Sequence, residues 1–360
     1  MPVSGVRRQP AYGKWMVSPV KDVAWMEWIT RLMGEPRVRQ VPDTALPSSS
    51  FHCLLDEQPT HLTPSRLLLD GASLSALGLI VNPHSCFCRD GQFPRGLPLA
   101  ACDLECFALG HEMVWIQDPR TDTFIPFWLG PALSSLLANS STGDPEPPGL
   151  PSWARWLLAS TGILVEEDAL ARGREKWAQT VLRCRQAFRN GYVPVGGLIH
   201  PFHLAALRRY YRQLIRRRKA GWDNESPLRY GLHNDPVARF FHHHLAPLVT
   251  DIAGEAVKPS YVYVASYQSG AMLRKHADRE QCEFSITLCL DYAPEPGAHT
   301  PWPLYLEART GLVKVYQALG DALLYRGREI PHYRHRLPER STSTSIFFHY
   351  VRENFAGPLD

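Results

Sequence analysis

The chain has 360 residues, of which 44% are hydrophobic and 21% charged, with a formal net charge of +4. That length allows a sizeable core and, at roughly 100–200 residues per domain, suggests two domains, while so small a positive balance does not by itself imply a nucleic-acid partner. No apolar run approaches the ~20 residues of a membrane span, no apolar core follows the charged N-terminus, and the eight cysteines are too scattered for a disulfide framework, so a cytoplasmic protein with no membrane association is expected.

Residues 1–139 are expected to form an N-terminal domain of unassigned fold and unknown role. Short apolar runs at 66–69, 77–81 and 113–116 alternate there with Pro and Gly, a texture of short strands or helices between turns. Cys86, Cys88, Cys102 and Cys106, with His84 nearby, invite a zinc reading, but Cys-x-Cys departs from the usual ligand pairing, and buried free cysteines are the plainer expectation. Residues 140–152 read as a Pro/Gly-rich linker or long surface loop, because four prolines and two glycines within 140–151 exclude a helix or central strand.

Residues 153–190 read as connecting helices. From Glu166 to Arg189 the acidic start and basic end suit a helix dipole, and Leu170, Trp177, Val181, Cys184 and Phe188 fall on one face. A short strand and turn follow at 191–200. A helix is expected over 201–219, with Leu204, Leu207, Tyr211 and Leu214 as its apolar stripe and Arg208, Arg209, Arg212, Arg216, Arg217, Arg218 and Lys219 around the rest. Such a cationic face is either solvated or available to an acidic partner or phosphate backbone. His242, His243 and His244 are consecutive, so on a helix they point in different directions and make a poor single-metal site.

From Pro259 the period changes to two. Tyr261, Tyr263, Ala265 and Tyr267 alternate with Val262, Val264 and Ser266, and Phe284, Ile286, Leu288 and Leu290 with Ser285, Thr287 and Cys289. Further strand-like runs lie at 304–307, 312–317, 321–326, 331–337 and 343–351. This pattern predicts an antiparallel sandwich or jelly roll, with Gly270 at a sharp turn.

His276 and Asp278 are two apart, so on an extended chain their side chains leave the same face and reach one ion together. Two histidines and one carboxylate on one face of an octahedral ion leave three positions open, as non-haem Fe(II) oxygenases require. Tyr267-x-x-Gly270 ahead of His276-x-Asp278, together with the run from Gly320 to Tyr325 ahead of His332, resembles the prolyl 4-hydroxylase-like branch of the 2-oxoglutarate/Fe(II) dioxygenases. The resemblance covers about 191–357 and nothing before it. It implies an α+β chain whose 191–360 part is a double-stranded β-helix (jelly roll) with supporting helices, and His276, Asp278 and His332 as both metal ligands and catalytic centre. It also implies Fe(II), 2-oxoglutarate and O2 as cofactors, with ascorbate supportive. The family's halogenases carry a small residue in place of the carboxylate, so Asp278 implies a hydroxylase.

The distal carboxylate of 2-oxoglutarate needs a buried cation, ideally arginine. Ser341 and Thr342 occupy the positions where the family carries its Lys or Arg. Arg340 is the nearest alternative and is favoured here, provided that a bulge or shortened turn brings it in; Arg334 is second, since it shares a face with His332 on a regular strand. Tyr267 and Tyr263 are candidates to hydrogen-bond the cosubstrate. His299, His335 and His349 compete with His332 less well, His349 reading as a core histidine; Trp302, Glu307 and Arg326 are placed near the opening.

The sequence thus points to a 2-oxoglutarate- and Fe(II)-dependent hydroxylase acting on a C–H bond of a peptidyl or free amino acid or another natural-product intermediate, releasing succinate and CO2. One alternative is oxidative demethylation of nucleic acid, through the basic helix at 208–219. Another is a non-catalytic binding protein that retains the fold, suggested by the displaced cosubstrate arginine.

Overall fold

The computed structural model describes residues 50–55, 78–88, 93–94, 97, 106–108, 111–118, 120–223 and 228–360. The run at 66–69 and Cys102 lie outside them. The first elements in chain order are β1 (Leu79–Val81), β2 (Ser85–Cys88), β3 (Met113–Asp118), β4 (Thr123–Trp128), α1 (Pro131–Leu136), α2 (Ser152–Ser160), β5 (Leu164–Glu166) and α3 (Ala169–Phe188). Strands β2, β3 and β4 form a small antiparallel sheet, and β1 pairs with β5. The Pro/Gly-rich segment between them is a loop tied to β1, since Val81 N donates to Asp144 O at 2.8 Å and Glu146 N to Leu79 O at 2.9 Å.

Next come β6 (Tyr192–Val195), α4 (Pro201–Arg216), β7 (Gly221–Trp222), β8 (Arg229–His233) and α5 (Pro236–Ala253). Both helices start on a proline, whose fixed φ suits the first turn. Asp235 caps α5, Oδ1 accepting from Val237 N and Ala238 N at 3.1 Å, and Gly254 ends it in the left-handed region at φ 77°. Leu204, Leu207, Tyr211 and Leu214 of α4 are all buried, as the stripe requires. In α3, Val181, Cys184 and Phe188 are buried.

The remaining eight strands are β9 (Val257–Tyr267), β10 (Leu273–His276), β11 (Phe284–Ala293), β12 (Leu304–Ala308), β13 (Gly311–Val315), β14 (Ala322–Tyr325), β15 (His332–Arg334) and β16 (Thr342–Arg352). They divide between two antiparallel sheets, a seven-stranded one in the order β6-β14-β11-β16-β9-β8-β7 and a four-stranded one in the order β10-β15-β12-β13. This is a double-stranded β-helix. Strands β11 and β16 are buried almost throughout, because one face of the large sheet lines the interior while α4 packs on β11 and α5 on β9 and β16. A bulge between Cys289 and Asp291 resets the alternation, so Asp291 turns outward to α4 while Tyr292 joins Tyr267 and Trp302 inside.

One hydrophobic cluster runs from Phe51 and Trp128 through α4 and α5 to Phe348 and Tyr350. Phe51 is its hinge point, edge-on to Phe107, Trp128, Tyr210 and Phe241 at 5.5, 5.9, 6.0 and 6.0 Å. The described N-terminal segments therefore share their core with the helices that back the large sheet. No helix among the described residues is long and apolar enough to cross a membrane.

Candidate metal centre

Gly270, at φ 79°, turns the chain out of β9 into the loop leading to β10, a conformation a side chain would strain. Strand β10 then pairs with β15 so that His276 and His332 are direct cross-strand neighbours, their ring centroids 4.4 Å apart. Asp278 lies two residues past the end of β10 and is anchored by its own N–H, which donates to Gly327 O at 2.9 Å.

The three side chains converge. Asp278 Oδ1 lies 3.5 Å from His276 Nε2 and 3.5 Å from His332 Nε2. Each imidazole uses its other nitrogen locally, His276 Nδ1 at 2.8 Å from Arg274 O and His332 Nδ1 at 3.0 Å from Ile330 O. A carbonyl can only accept, so both Nδ1 atoms carry the proton and both Nε2 lone pairs face the carboxylate, the tautomer and orientation a metal-ligating histidine needs. Burial pushes the Asp278 carboxyl up, but His276, His332, His349 and Ser285 together outweigh it and bring it down to about 2. The hydrogen bond with Asp278 raises His276 despite partial burial, whereas burial lowers His332. Two nitrogen donors and one ionised oxygen suit a divalent transition metal. The His276 side chain is 40% exposed and that of His332 only 4%, so the open side of the group is the His276 side.

Arg334, the second choice for cosubstrate anchor, is buried on the same face of β15 as His332. It donates to Trp302 O at 2.5 Å and to Gln317 Oε1 at 3.2 Å and lies 4.7 Å from the Trp302 ring centroid. Gln317 is itself held, its Nε2 donating to Thr287 O and Asp321 O, which leaves its oxygen for Arg334. Among the described residues no carboxylate pairs with Arg334. A buried guanidinium without an acid is costly, and an acidic ligand relieves it. The Tyr292 hydroxyl, in the same cluster as Trp302, is also buried without a hydrogen-bond partner among the described residues.

Arg340, the favoured anchor, is a correction. No bulge turns it inward; it sits at φ 60° in an exposed turn closed by Ser341 N and Pro338 O, so its side chain does not reach the interior. Tyr267 is buried, 5.1 Å from Trp302, with its hydroxyl accepting from Arg229 Nη1 at 3.3 Å. Tyr263 lies one step outward, donating to Asp223 Oδ2 at 2.8 Å, and Arg229 pairs with the same Asp223. His299 and His335 are exposed. Glu307 is paired with Lys275 on the outer face, and Arg326 lies over the Phe188 and Phe284 rings, so neither lines the interior.

Sequence reasoning missed Ser285, Gln317 and Arg229, and it placed His349 in the core without its partner. Ser285 and His349 carried a usable signal, since a hydroxyl and an imidazole inside strands buried on both faces must find polar partners. His242, His243 and His244 diverge as expected, His242 Nε2 lying 2.6 Å from His349 O while His244 turns to Asp118. Cys86 and Cys88 have their sulfurs 3.7 Å apart and are free thiols, and they join no metal-ligating group among the described residues.

No family model matches the sequence, and no curated protein matches it. Solved structures do. The chain is similar over 48% of its length to a Pseudomonas putida prolyl-4-hydroxylase, covering 100% of that chain at 16% identity and a TM-score of 0.40. About half of the chain is similar to solved 2-oxoglutarate-dependent oxygenases. Among them are the non-heme alpha ketoglutarate dependent epimerase SnoN from nogalamycin biosynthesis (48% of this chain, 83% of that one, 16% identity, TM-score 0.42) and HygX from Streptomyces hygroscopicus with nickel and 2-oxoglutarate bound (48%, 87%, 12%, 0.39).

Proposed function

We propose that this protein is a 2-oxoglutarate- and Fe(II)-dependent dioxygenase that hydroxylates an unactivated C–H of a peptidyl or free amino acid or another natural-product intermediate, releasing succinate and CO2. The observation that carries the reading is the convergence of His276 Nε2 and His332 Nε2 on Asp278 Oδ1. In it these three residues hold Fe(II), and the ion, when bound, supplies the oxidising chemistry with 2-oxoglutarate and O2, ascorbate keeping it reduced. The protein's own part is positional. The Arg274 and Ile330 carbonyls fix both imidazoles, Arg334 with Gln317 behind it receives the distal carboxylate of the cosubstrate, and Tyr267 and Trp302 wall that carboxylate from water. Tyr263 belongs to the rim, where Asp223 and Arg229 already engage it.

Arg334 also answers the observation that suggested a non-catalytic protein, since a buried arginine is present after all. The basic helix gives little support to a nucleic-acid substrate: Arg208 and Arg212 are spent on Asp291, which leaves Arg216 to Lys219 as the exposed cations.

The test is succinate formation by purified protein with Fe(II), 2-oxoglutarate, ascorbate and O2. Slow succinate release without added substrate, lost in His276→Ala, is the expected result. No succinate, and no charge-transfer band on anaerobic mixing with Fe(II) and 2-oxoglutarate, overturns the reading.

A further inference from the structure

We infer that Ser285 and His349 are positioning residues that hold Asp278 as a one-oxygen metal ligand, an inference that rests on the metal-site reading above. Ser285 is wholly buried on β11 and stands opposite His349 in the β11–β16 ladder. Its Oγ lies 2.9 Å from Asp278 Oδ2 and 2.9 Å from His349 Nδ1. An ionised carboxylate only accepts, so the Ser285 proton goes to Oδ2. Ser285 Oγ then has only lone pairs to offer His349, whose Nδ1 must carry a proton. The relay has one direction, from His349 through Ser285 to Asp278.

The two carboxylate oxygens are thereby divided. Oδ1 faces both histidine Nε2 atoms, and Oδ2 is taken by the protein. Gly327 leaves open the space that Oδ2 occupies: a Cβ there would collide with Oδ2 and stand 2.6 Å from Ser285 Oγ, so this placement of the carboxylate requires glycine. His349 is fixed in turn, its ring 4.6 Å from Tyr261 and its carbonyl accepting from Ser260 Oγ at 2.9 Å. A carboxylate free to rotate could bind through both oxygens and occupy one of the three positions an octahedral ion keeps open. The Ser285–His349 relay prevents this. It engages Oδ2 and leaves Oδ1 to the two histidines.

The test is Co(II) titration of the full chain as parent, Ser285→Ala, His349→Phe and His349→Asn, followed by d–d absorption, with thermal unfolding of each metal-free protein as control. Loss of an outer-shell partner typically weakens metal binding about 10–100-fold. That weakening, with a changed Co(II) spectrum, is expected for Ser285→Ala and His349→Phe. His349→Asn, whose amide N–H replaces the Nδ1 donor, is expected to bind within a few-fold of the parent. Parent-like affinity and spectrum in Ser285→Ala overturn the inference. So does weakening in all three variants that merely follows their loss of metal-free stability, which marks a packing role. A parent that binds no Co(II) sinks the metal-site reading itself, whereas a binding parent with unchanged variants sinks only the relay.

Discussion

Arg334 lies two residues beyond His332 on β15, and both side chains are buried on the same inward face. The strand's period of two thus delivers a metal-ligand candidate and a cation to one interior, with Gln317 and Trp302 holding the guanidinium in place. Removing one partner of a buried, hydrogen-bonded charge pair costs roughly 2–5 kcal/mol. Arg334→Gln is therefore expected to weaken 2-oxoglutarate binding by at least ~30-fold. Arg340→Ala is expected to leave it unchanged. Anaerobic titration of the Fe(II) protein with 2-oxoglutarate, following the charge-transfer band, decides between them.

Gly327 gives a second prediction that depends on contact alone. Because any Cβ there meets Asp278 Oδ2, Cys282 O and Ser285 Oγ, Gly327→Ala is expected to displace the carboxylate and abolish stoichiometric Co(II) or Fe(II) binding. Far-UV circular dichroism should stay close to that of the parent, since the β14–β15 connection is local. Retained metal binding in this variant would mean that the carboxylate has slack the geometry does not suggest.

Seven of the eight jelly-roll strands, the α4 stripe and the His-x-Asp pair were legible because each rests on a short-range period of two or 3.6 residues. Arg340 was misplaced because the choice depended on a bulge, and a bulge is a register decision made by the partner strand; the bulge that does form lies on β11, between Cys289 and Asp291. The relay from His349 to Asp278 was not legible for a related reason. Ser285 and His349 become neighbours only once β11 pairs with β16, and the sequence does not state which strands pair.

The α4 arginines separate a structural from a binding role. Arg208 is buried against Asp291 at 2.8 Å and Glu295 at 2.6 Å, and Arg212 reaches the same Asp291. Breaking a buried pair from one side typically costs about 3–5 kcal/mol, moderated here because Arg212 stays. Arg208→Met is expected to lower unfolding free energy in urea by roughly 2–4 kcal/mol. Arg216→Ala, fully on the surface, is expected to change it by less than about 0.5 kcal/mol.

Phe51 tests whether the described N-terminal segments and the jelly roll are one cooperative unit. It is fully buried and touches rings from both. Phe51→Ala is expected to cost about 3–5 kcal/mol. A single unfolding transition, shifted as a whole when followed by both tryptophan fluorescence and circular dichroism, is the expected signature; an early partial transition that leaves Co(II) binding intact would show the N-terminal segments coming off alone.

The last prediction concerns acid. Burial holds His200 down to about 4 and His203 to about 3, against an ordinary value of 6.5; the Ser160 and Pro126 carbonyls beside them recover only part of the shift. With folded values depressed, the unfolded chain binds protons that the folded one refuses between pH 6.5 and about 4. Stability from this source is fully present above pH 6.5 and is lost as pH falls through that window, each histidine contributing up to about 1.4 kcal/mol per pH unit. His349, also held to about 4 by burial, adds to the same slope. Asp118, kept low by Arg120 and His244 in spite of its burial, loses stability only below the ordinary carboxylate range, so the two effects occupy different windows. Urea unfolding of metal-free protein at pH 7 and pH 5 is expected to show a drop on the order of 4 kcal/mol or more. The double variant His200→Gln/His203→Gln should show a smaller drop between the same two pH values, whatever its absolute stability, and an unchanged drop would locate the acid sensitivity elsewhere.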